Sequence, residues 1–219
     1  MSGKRKDMEN CCLEELLECY PELKAIRKEI WDAYQCMVKC FETGHKLLIA
    51  GNGGSSSDAQ HIVGELMKGF LKKRSLTGEQ KASMQRNYPE LDESVLNKLQ
   101  QALPAVVLSD ATALNSAFAN DVDPCLVYAQ QTLGLGTAED VLVCLSTSGS
   151  SQNVVEAAKV AKSIGLSVVA LTGSSGGWLK EIADVCITVP AVETYQVQEL
   201  HLPVYHCLCA AVEAHFFEA

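Results

Sequence analysis

Two short stretches of this 219-residue chain carry the residue types that bind phosphate. Gly51-Asn52-Gly53-Gly54-Ser55-Ser56-Ser57 brings glycines, whose bare backbone lets N–H groups close on an anion. Ser146-Thr147-Ser148-Gly149-Ser150-Ser151 brings hydroxyls able to clasp phosphate oxygens. Each stretch joins an apolar run to a helical pattern, so the positive end of a helix would face the same anion. A plain helix cap accounts for either loop taken alone. Two in one sheet favour a phosphorylated small molecule. No lysine of the Walker type follows either loop and G-x-G-x-x-G is absent, which turns the reading away from nucleoside triphosphates and dinucleotides. After the first loop, His61 and Glu65 stand four residues apart on one helix face, and the end of the chain adds Gln198, His201 and His206. Singly, His61–Glu65 reads as a surface pair and His206 as a hydrogen-bonded histidine of a packed helix. An acid, several imidazoles and two phosphate loops in company point to a functional site.

The elements that must position these residues follow from the spacing of apolar side chains. Residues 8–43 are helical by period, with Leu13, Leu16, Leu17, Leu23, Ile26, Ile30, Tyr34 and Val38 at three- and four-residue steps. Pro21 is expected to open a second helix and Gly44 to end it. Five short runs follow, Lys46–Ala50, Ala105–Leu108, Val141–Leu145, Ser167–Leu171 and Val185–Val189, each read as a strand buried on both faces. Helical patterns at about 57–70, 111–118, 126–135, 151–164 and 178–183 alternate with them. This alternation predicts an α/β fold, a doubly wound parallel sheet with right-handed crossovers. A helical segment over 1–43 would pack on a domain over 44–219. In the closing helix, about 196–217, Pro203 predicts a kink or a later start. Residues 70–102 are long for a connection. They read as a helical insertion, with a helix over Asp92–Leu103, and their basic cluster of Lys68, Lys72, Lys73, Arg74, Lys81 and Arg86 as a solvated helix end and surface loop rather than a phosphate-attracting rim.

Composition bounds the partners. With 18 basic against 27 acidic residues the net charge is −9, which argues against a protein that coats nucleic acid. No apolar run approaches the length of a bilayer span, so no membrane partner is expected. Near the N-terminus, basic residues give way to Glu9, Glu14 and Glu15 where a secretory signal needs an apolar core, so the cytoplasm is the expected location. The ten cysteines form no paired C-x-x-C units and read as reduced thiols, with Cys144 and Cys186 as small hydrophobes inside apolar runs.

Four motifs in order resemble a known family. Gly51-Asn52-Gly53-Gly54-Ser55 with Asp58-Ala59-Gln60-His61 and Gly64-Glu65-Leu66 is similar to the first signature of the phosphoheptose isomerases, members of the sugar isomerase (SIS) domain family. Leu145–Ser151 is similar to their phosphate loop, and Leu171-Thr172-Gly173 with Gly176-Gly177, then Val197-Gln198-Glu199-Leu200-His201 running to His206, to their later signatures. The resemblance spans about residues 30–217. It implies a five-stranded parallel sheet flanked by helices, and a homotetramer with shared active sites. The activity it implies is isomerisation of sedoheptulose 7-phosphate to D-glycero-D-manno-heptose 7-phosphate. By motif position, it makes Glu65 the catalytic base and His206 its acid–base partner. It assigns substrate contacts to Asn52, Gly53, Ser55, Asp110, Ser146, Thr147, Ser148, Ser151 and Gln198, and a zinc ion to His61, Glu65, Gln198 and His206.

The residues alone suit such chemistry. An aldose–ketose conversion through an enediol moves a proton between two carbons, which a carboxylate can carry, and protons between two oxygens, which a histidine can serve near neutrality. A zinc ion would polarise the carbonyl and its neighbouring hydroxyl. The chain departs from the family in the long 70–102 segment, in Tyr195-Gln196 where an Asp-Arg pair is common, and at Pro203. The rival reading is a non-catalytic SIS-domain regulatory protein that binds sugar phosphates or a replication initiator. Such relatives tend to lose the groups at the Glu65 and His206 positions, and this chain has both. An isomerase for a pentose or hexose phosphate is a third reading.

Overall fold

Strands β1 (Leu47–Gly51), β2 (Ala105–Val107), β3 (Val141–Leu145), β4 (Ser167–Thr172) and β5 (Val185–Thr188) form one parallel sheet in the order β2-β1-β3-β4-β5. The structure, a computed structural model, describes residues 2–217, with side chains from Cys11 onwards. Positions 1, 218 and 219 of the two expected units therefore lie outside the described residues. β1 and β3 are buried throughout, as their unbroken apolar runs require. The edge strands correct the sequence expectation. Val106 of β2 is exposed, and Val185, Cys186 and Thr188 of β5 are half-buried, because an edge has a neighbour on one side only.

Helices cover both faces. On one, Leu47, Ile49, Val143 and Leu171 pack against α1 (Ser2–Cys19), α2 (Arg27–Glu42), α3 (Gly54–Met67) and α10 (Thr194–Phe216). On the other, Leu48, Ala50, Leu142 and Cys144 meet α7 (Val127–Leu135) and α8 (Gln152–Ser163), with Leu179 of α9 (Leu179–Ile182). The helix α6 (Thr112–Asp121) follows β2 and lends Phe118 to this second core. Pro21 opens a 3₁₀ turn over Pro21–Ile26 rather than the α-helix itself, and Gly44 ends α2 at a φ of +80°, which a side chain would strain. All ten cysteines are free thiols. None of the helices among the described residues is long and apolar enough to cross a membrane.

Further expectations need correction. Helix α10 starts early, at Thr194, and runs through Pro203 to Phe216, with Val204, Tyr205 and Leu208 buried beyond the proline; packing outweighs the lost hydrogen bond. The helix expected over Asp92–Leu103 shrinks to α5 (Glu93–Leu96), capped by the Asp92 carboxylate, which accepts from the Ser94 amide. After a turn at 97–98 the chain takes distant partners instead: Gln101 N–H donates to Arg74 O and Leu103 N–H to Leu66 O, and Ser75 bridges Gln100. A helix α4 (Gly78–Asn87), absent from the expected set, starts at a Thr77/Gln80 capping box. Arg74, assigned to the solvated cluster, is 1% exposed and ion-paired.

Candidate active site

The two Ser/Gly loops leave the carboxyl ends of β1 and β3, on either side of the point where the strand order reverses, the place where open α/β sheets bind ligands. Neither is a plain helix cap. Helix α3 begins after Gly53 and α8 after Ser151, both without a side-chain cap, so their first N–H groups remain for another acceptor. Gly53 holds a φ of +54°, and a Cβ on Gly51 would lie 2.5 Å from Ser55 O. In the second loop Ser146 Oγ donates to Ser151 Oγ at 3.1 Å, and Ser148 Oγ accepts from the Ser150 amide. Gly149, at φ +64°, presses against Gly176, so the late glycine pair buttresses this loop.

Asparagines tie the loops together. Asn52 and Asn153 exchange amide hydrogen bonds at 2.9 and 3.0 Å. The Tyr128 hydroxyl donates to Gly51 O at 2.8 Å and lies 3.2 Å from Asn52 Oδ1. Asp110 sits beyond β2, accepting from Gln60 of α3, beside the Ser56–Ser109 hydroxyl pair. Thr147 contributes its carbonyl to Gly173 N–H, and Ser55 is buried. Gln198 reaches the first turn of α3: a Cβ on Gly54 would lie 2.4 Å from its amide nitrogen.

Along the same two helices lies the acid–base cluster. His61 Nε2 is 3.2 Å from Glu65 Oε1 and 3.4 Å from His206 Nε2 of α10. Lys68 Nζ stands 3.3 Å from the other Glu65 oxygen. Tyr205, next to His206, places its hydroxyl 3.0 Å from His61 Nδ1 and donates to Asp58 Oδ1 at 3.3 Å. Burial pushes the His206 imidazole below its usual range and nearby His61 adds to this, with Glu65 pulling the other way. Burial likewise raises the Asp58 carboxyl, partly offset by Tyr205 and His61. Phe70 lies against the His206 ring at 5.7 Å between centroids. Next to His206, an open cavity of about 250 Å³ is lined by α1 and by Phe70 and Leu71.

The donors answer in part to a zinc site. With Tyr205 donating to Asp58, its oxygen accepts from His61 Nδ1–H, and the Nε2 lone pair faces His206 and Glu65. Nε2 and the Glu65 carboxylate then face one another as acceptors, a contact that a cation between them would relieve. Separations of 3.4 and 3.2 Å match the edges of a tetrahedron around an ion with ligands at about 2.0–2.1 Å. Even so, no three His, Cys, Asp or Glu groups among the described residues converge so as to hold an ion without movement. Gln198 lies eight residues, about 12 Å of helix rise, before His206.

Thus the fold joins His61, Glu65 and His206 in one cluster, and Asn52, Gly53, Ser55, Ser146, Thr147, Ser148 and Ser151 around the sheet's switch point. His201 joins neither. It is fully buried, with both ring nitrogens unpartnered. Sequence reasoning missed Tyr205, Phe70, Asn153 and Tyr128 as parts of the site. Asp58 was visible only as a letter of the first motif, and nothing local marks the others, whose partners are distant in the chain.

A family model described as SIS domain matches residues 94–173. The phosphoheptose isomerase of Rhodospirillum rubrum is 34% identical over 196 residues, 90% of each chain. A phosphoheptose isomerase structure from Neisseria gonorrhoeae superposes with a TM-score of 0.71 at 31% identity, over 91% of this chain and 94% of that one. One from Francisella tularensis gives 0.73 at 30%, over 94% and 96%.

Proposed function

The chain belongs to the phosphoheptose isomerase family, and from that premise we propose that it interconverts sedoheptulose 7-phosphate and D-glycero-D-manno-heptose 7-phosphate through an enediol. It is a sugar-phosphate isomerase; the sugar and the mechanism are the proposal. The observation that carries it is the meeting of a carboxylate and a histidine from opposite ends of the domain, Glu65 on α3 and His206 on α10, both within 3.4 Å of His61 Nε2.

Glu65 takes the proton from C1 of the ketose, leaving the enediol as a monoanion charged at O2. The imidazole of His206, whose pKa burial lowers, accepts the O1 proton and passes it to O2, which moves the charge to O1. The Glu65 carboxyl then delivers the carbon proton to C2 as O1 closes to the aldehyde carbonyl, so the sugar leaves with the proton count it brought. Serines 146, 148 and 151 with Thr147, and the free N–H groups opening α3 and α8, suit the phosphate. Asn52, Gly53, Ser55, Asp110 and Gln198 are assigned to the sugar. A zinc ion on His61, Glu65 and His206, with Gln198 drawn in, would polarise the substrate's carbonyl and its neighbouring hydroxyl.

Gly54 and Glu65 are eleven residues apart on α3, about 16 Å of rise. That length supports a site in which one subunit's phosphate loops face another's acid–base cluster, as in the homotetramer that the family resemblance implies. We place the enzyme in the cytoplasm, where phosphorylated sugars are made.

The test is conversion of sedoheptulose 7-phosphate by the purified protein. Glu65→Gln is expected to lower kcat by about 10³-fold or more while phosphate binding persists. An active Glu65→Gln protein would overturn the assignment of the base. Chelation followed by zinc restoration, with metal content measured in parallel, tests the ion; full turnover by metal-free protein would rule out an essential one.

A further inference from the structure

The buried ion pair at the foot of the acid–base cluster is more elaborate than packing requires. Glu213, fully buried on α10, accepts from four donors: the amides of Phe70 at 2.8 Å, Leu71 at 2.7 Å and Lys72 at 3.1 Å, and Arg74 Nε at 2.7 Å. Arg74 spends its remaining nitrogens on the last turn of α3, donating to Leu66 O at 2.6 Å and to Glu65 O at 3.0 Å, and its guanidinium lies 4.7 Å over the Phe217 ring. Those carbonyls end a helix and have no partner within it, so the guanidinium acts as its C-terminal cap. One of them belongs to Glu65.

The other end of the device reaches His206. Glu213 lies seven residues beyond it, two turns along α10 on the same face. Phe70, whose amide Glu213 holds, lays its ring beside the His206 imidazole, 5.7 Å between centroids and 35° between planes. A buried ion pair is weak grounds for stability, since apolar side chains of like volume pack as well. What an apolar pair could not do is bind three amides of one segment and two carbonyls of another in a single fixed geometry.

We propose that Arg74, Glu213 and Phe70 form a positioning clamp that sets the placement of Glu65 relative to His206. This rests on the reading of those two residues as the proton-transfer pair. Arg74 and Glu213 are fully buried, and all three clamp residues are positioning residues in this proposal. They act through the helix end that carries the carboxylate and the ring that steadies the imidazole, and small displacements of reacting groups cost rate more than affinity.

Three variants of the full-length protein, assayed for sugar-phosphate isomerisation beside Glu65→Gln, test this. Phe70→Leu keeps the amide bond to Glu213 and an apolar side chain but removes the ring; kcat is expected to fall about tenfold with KM within about twofold. Phe70→Tyr keeps the ring and should retain most of kcat, a difference that space-filling would not produce. Arg74→Lys cannot serve both carbonyls and Glu213 together and should lose kcat similarly, with thermal unfolding recorded alongside. Wild-type kcat in Phe70→Leu, or equal loss in Phe70→Tyr and Phe70→Leu, overturns the clamp, and does so even if Arg74→Lys fails to fold. An active Glu65→Gln protein defeats the underlying reading instead, whereas an inactive one beside a fully active Phe70→Leu defeats the clamp alone.

Discussion

Tyr205 stands between two groups that chemistry would otherwise leave loose, the imidazole of His61 and the carboxyl of Asp58. Its hydroxyl fixes the His61 ring, and so the direction in which Nε2 points at Glu65 and His206. Tyr205→Phe keeps the packing and removes that anchor. We expect kcat to fall about tenfold while stability changes by only about 1 kcal/mol, read by steady-state kinetics and urea unfolding. His201 presents the opposite case, a histidine with no task in the site. Burial lowers its pKa to about 4, with the nearby Thr172 main chain pulling the other way without completing a hydrogen bond. A folded pKa below the ordinary 6.5 means the unfolded chain binds the proton more readily. The contribution is therefore complete above pH 6.5 and is lost as pH falls from there towards 4, at up to about 1.4 kcal/mol per pH unit. His201→Leu should flatten this part of the stability profile, measured by urea unfolding at pH 7.5 and 5. An unchanged slope would mean that His201 is not the group that titrates.

At the scale of elements, the 70–102 segment divides into a root and a branch. The root, 70–74 with 100–104, is held by Glu213, by Leu66 O and by the Ser75–Gln100 bridge. The branch, 76–99, carries α4, which has no buried residue, and places only Leu96 in the interior. Because Ser75 and Gln100 are bridge partners, a two-residue turn can replace the branch. We expect a stability loss of about 1.5–3 kcal/mol from the exposure of the leucine's site, with kcat within about twofold. A collapse of turnover would make the branch a lid. The segment also shows where local pattern misleads. Leu91, Val95, Leu96 and Leu99 keep helical spacing, but the chain leaves helix because the backbone groups of 101 and 103 are taken by Arg74 and Leu66. The Thr77/Gln80 box was legible and unread. Pro203 did not delay the start of α10 because the apolar face on both sides of it is buried.

For the whole molecule, the sheet does two things. Asp140, buried, takes the amide and ammonium of Lys46 at 3.0 and 2.6 Å and the amide and hydroxyl of Thr137 at 2.8 and 2.9 Å, joining the entries of β1 and β3. At their exits the same two strands release the two Ser/Gly loops side by side. The acid–base cluster lies far down α3 from that point. If neighbouring subunits complete each site, Glu65→Gln and Ser148→Ala proteins, each impaired alone, should regain activity when unfolded together and reassembled, in roughly a quarter of the sites. Mixed assemblies no more active than the average of their parents would place loop and carboxylate of one site on one chain.

The amino-acid sequence by itself determined the class of fold, the five strands and the two loops, and it marked Glu65, His61 and His206 as candidates. These are properties of period, of composition and of motifs contained in a few residues. Tertiary structure alone decided that Arg74 leaves the surface to close on Glu213, 139 residues away, that Tyr205 serves His61 while His201 is sealed beneath the sheet, and that Gln198 meets Gly54. The reason is the same for each. A polar side chain's role is set by the partner that satisfies it once water is excluded, and those partners become neighbours only when α10 lies down beside α3.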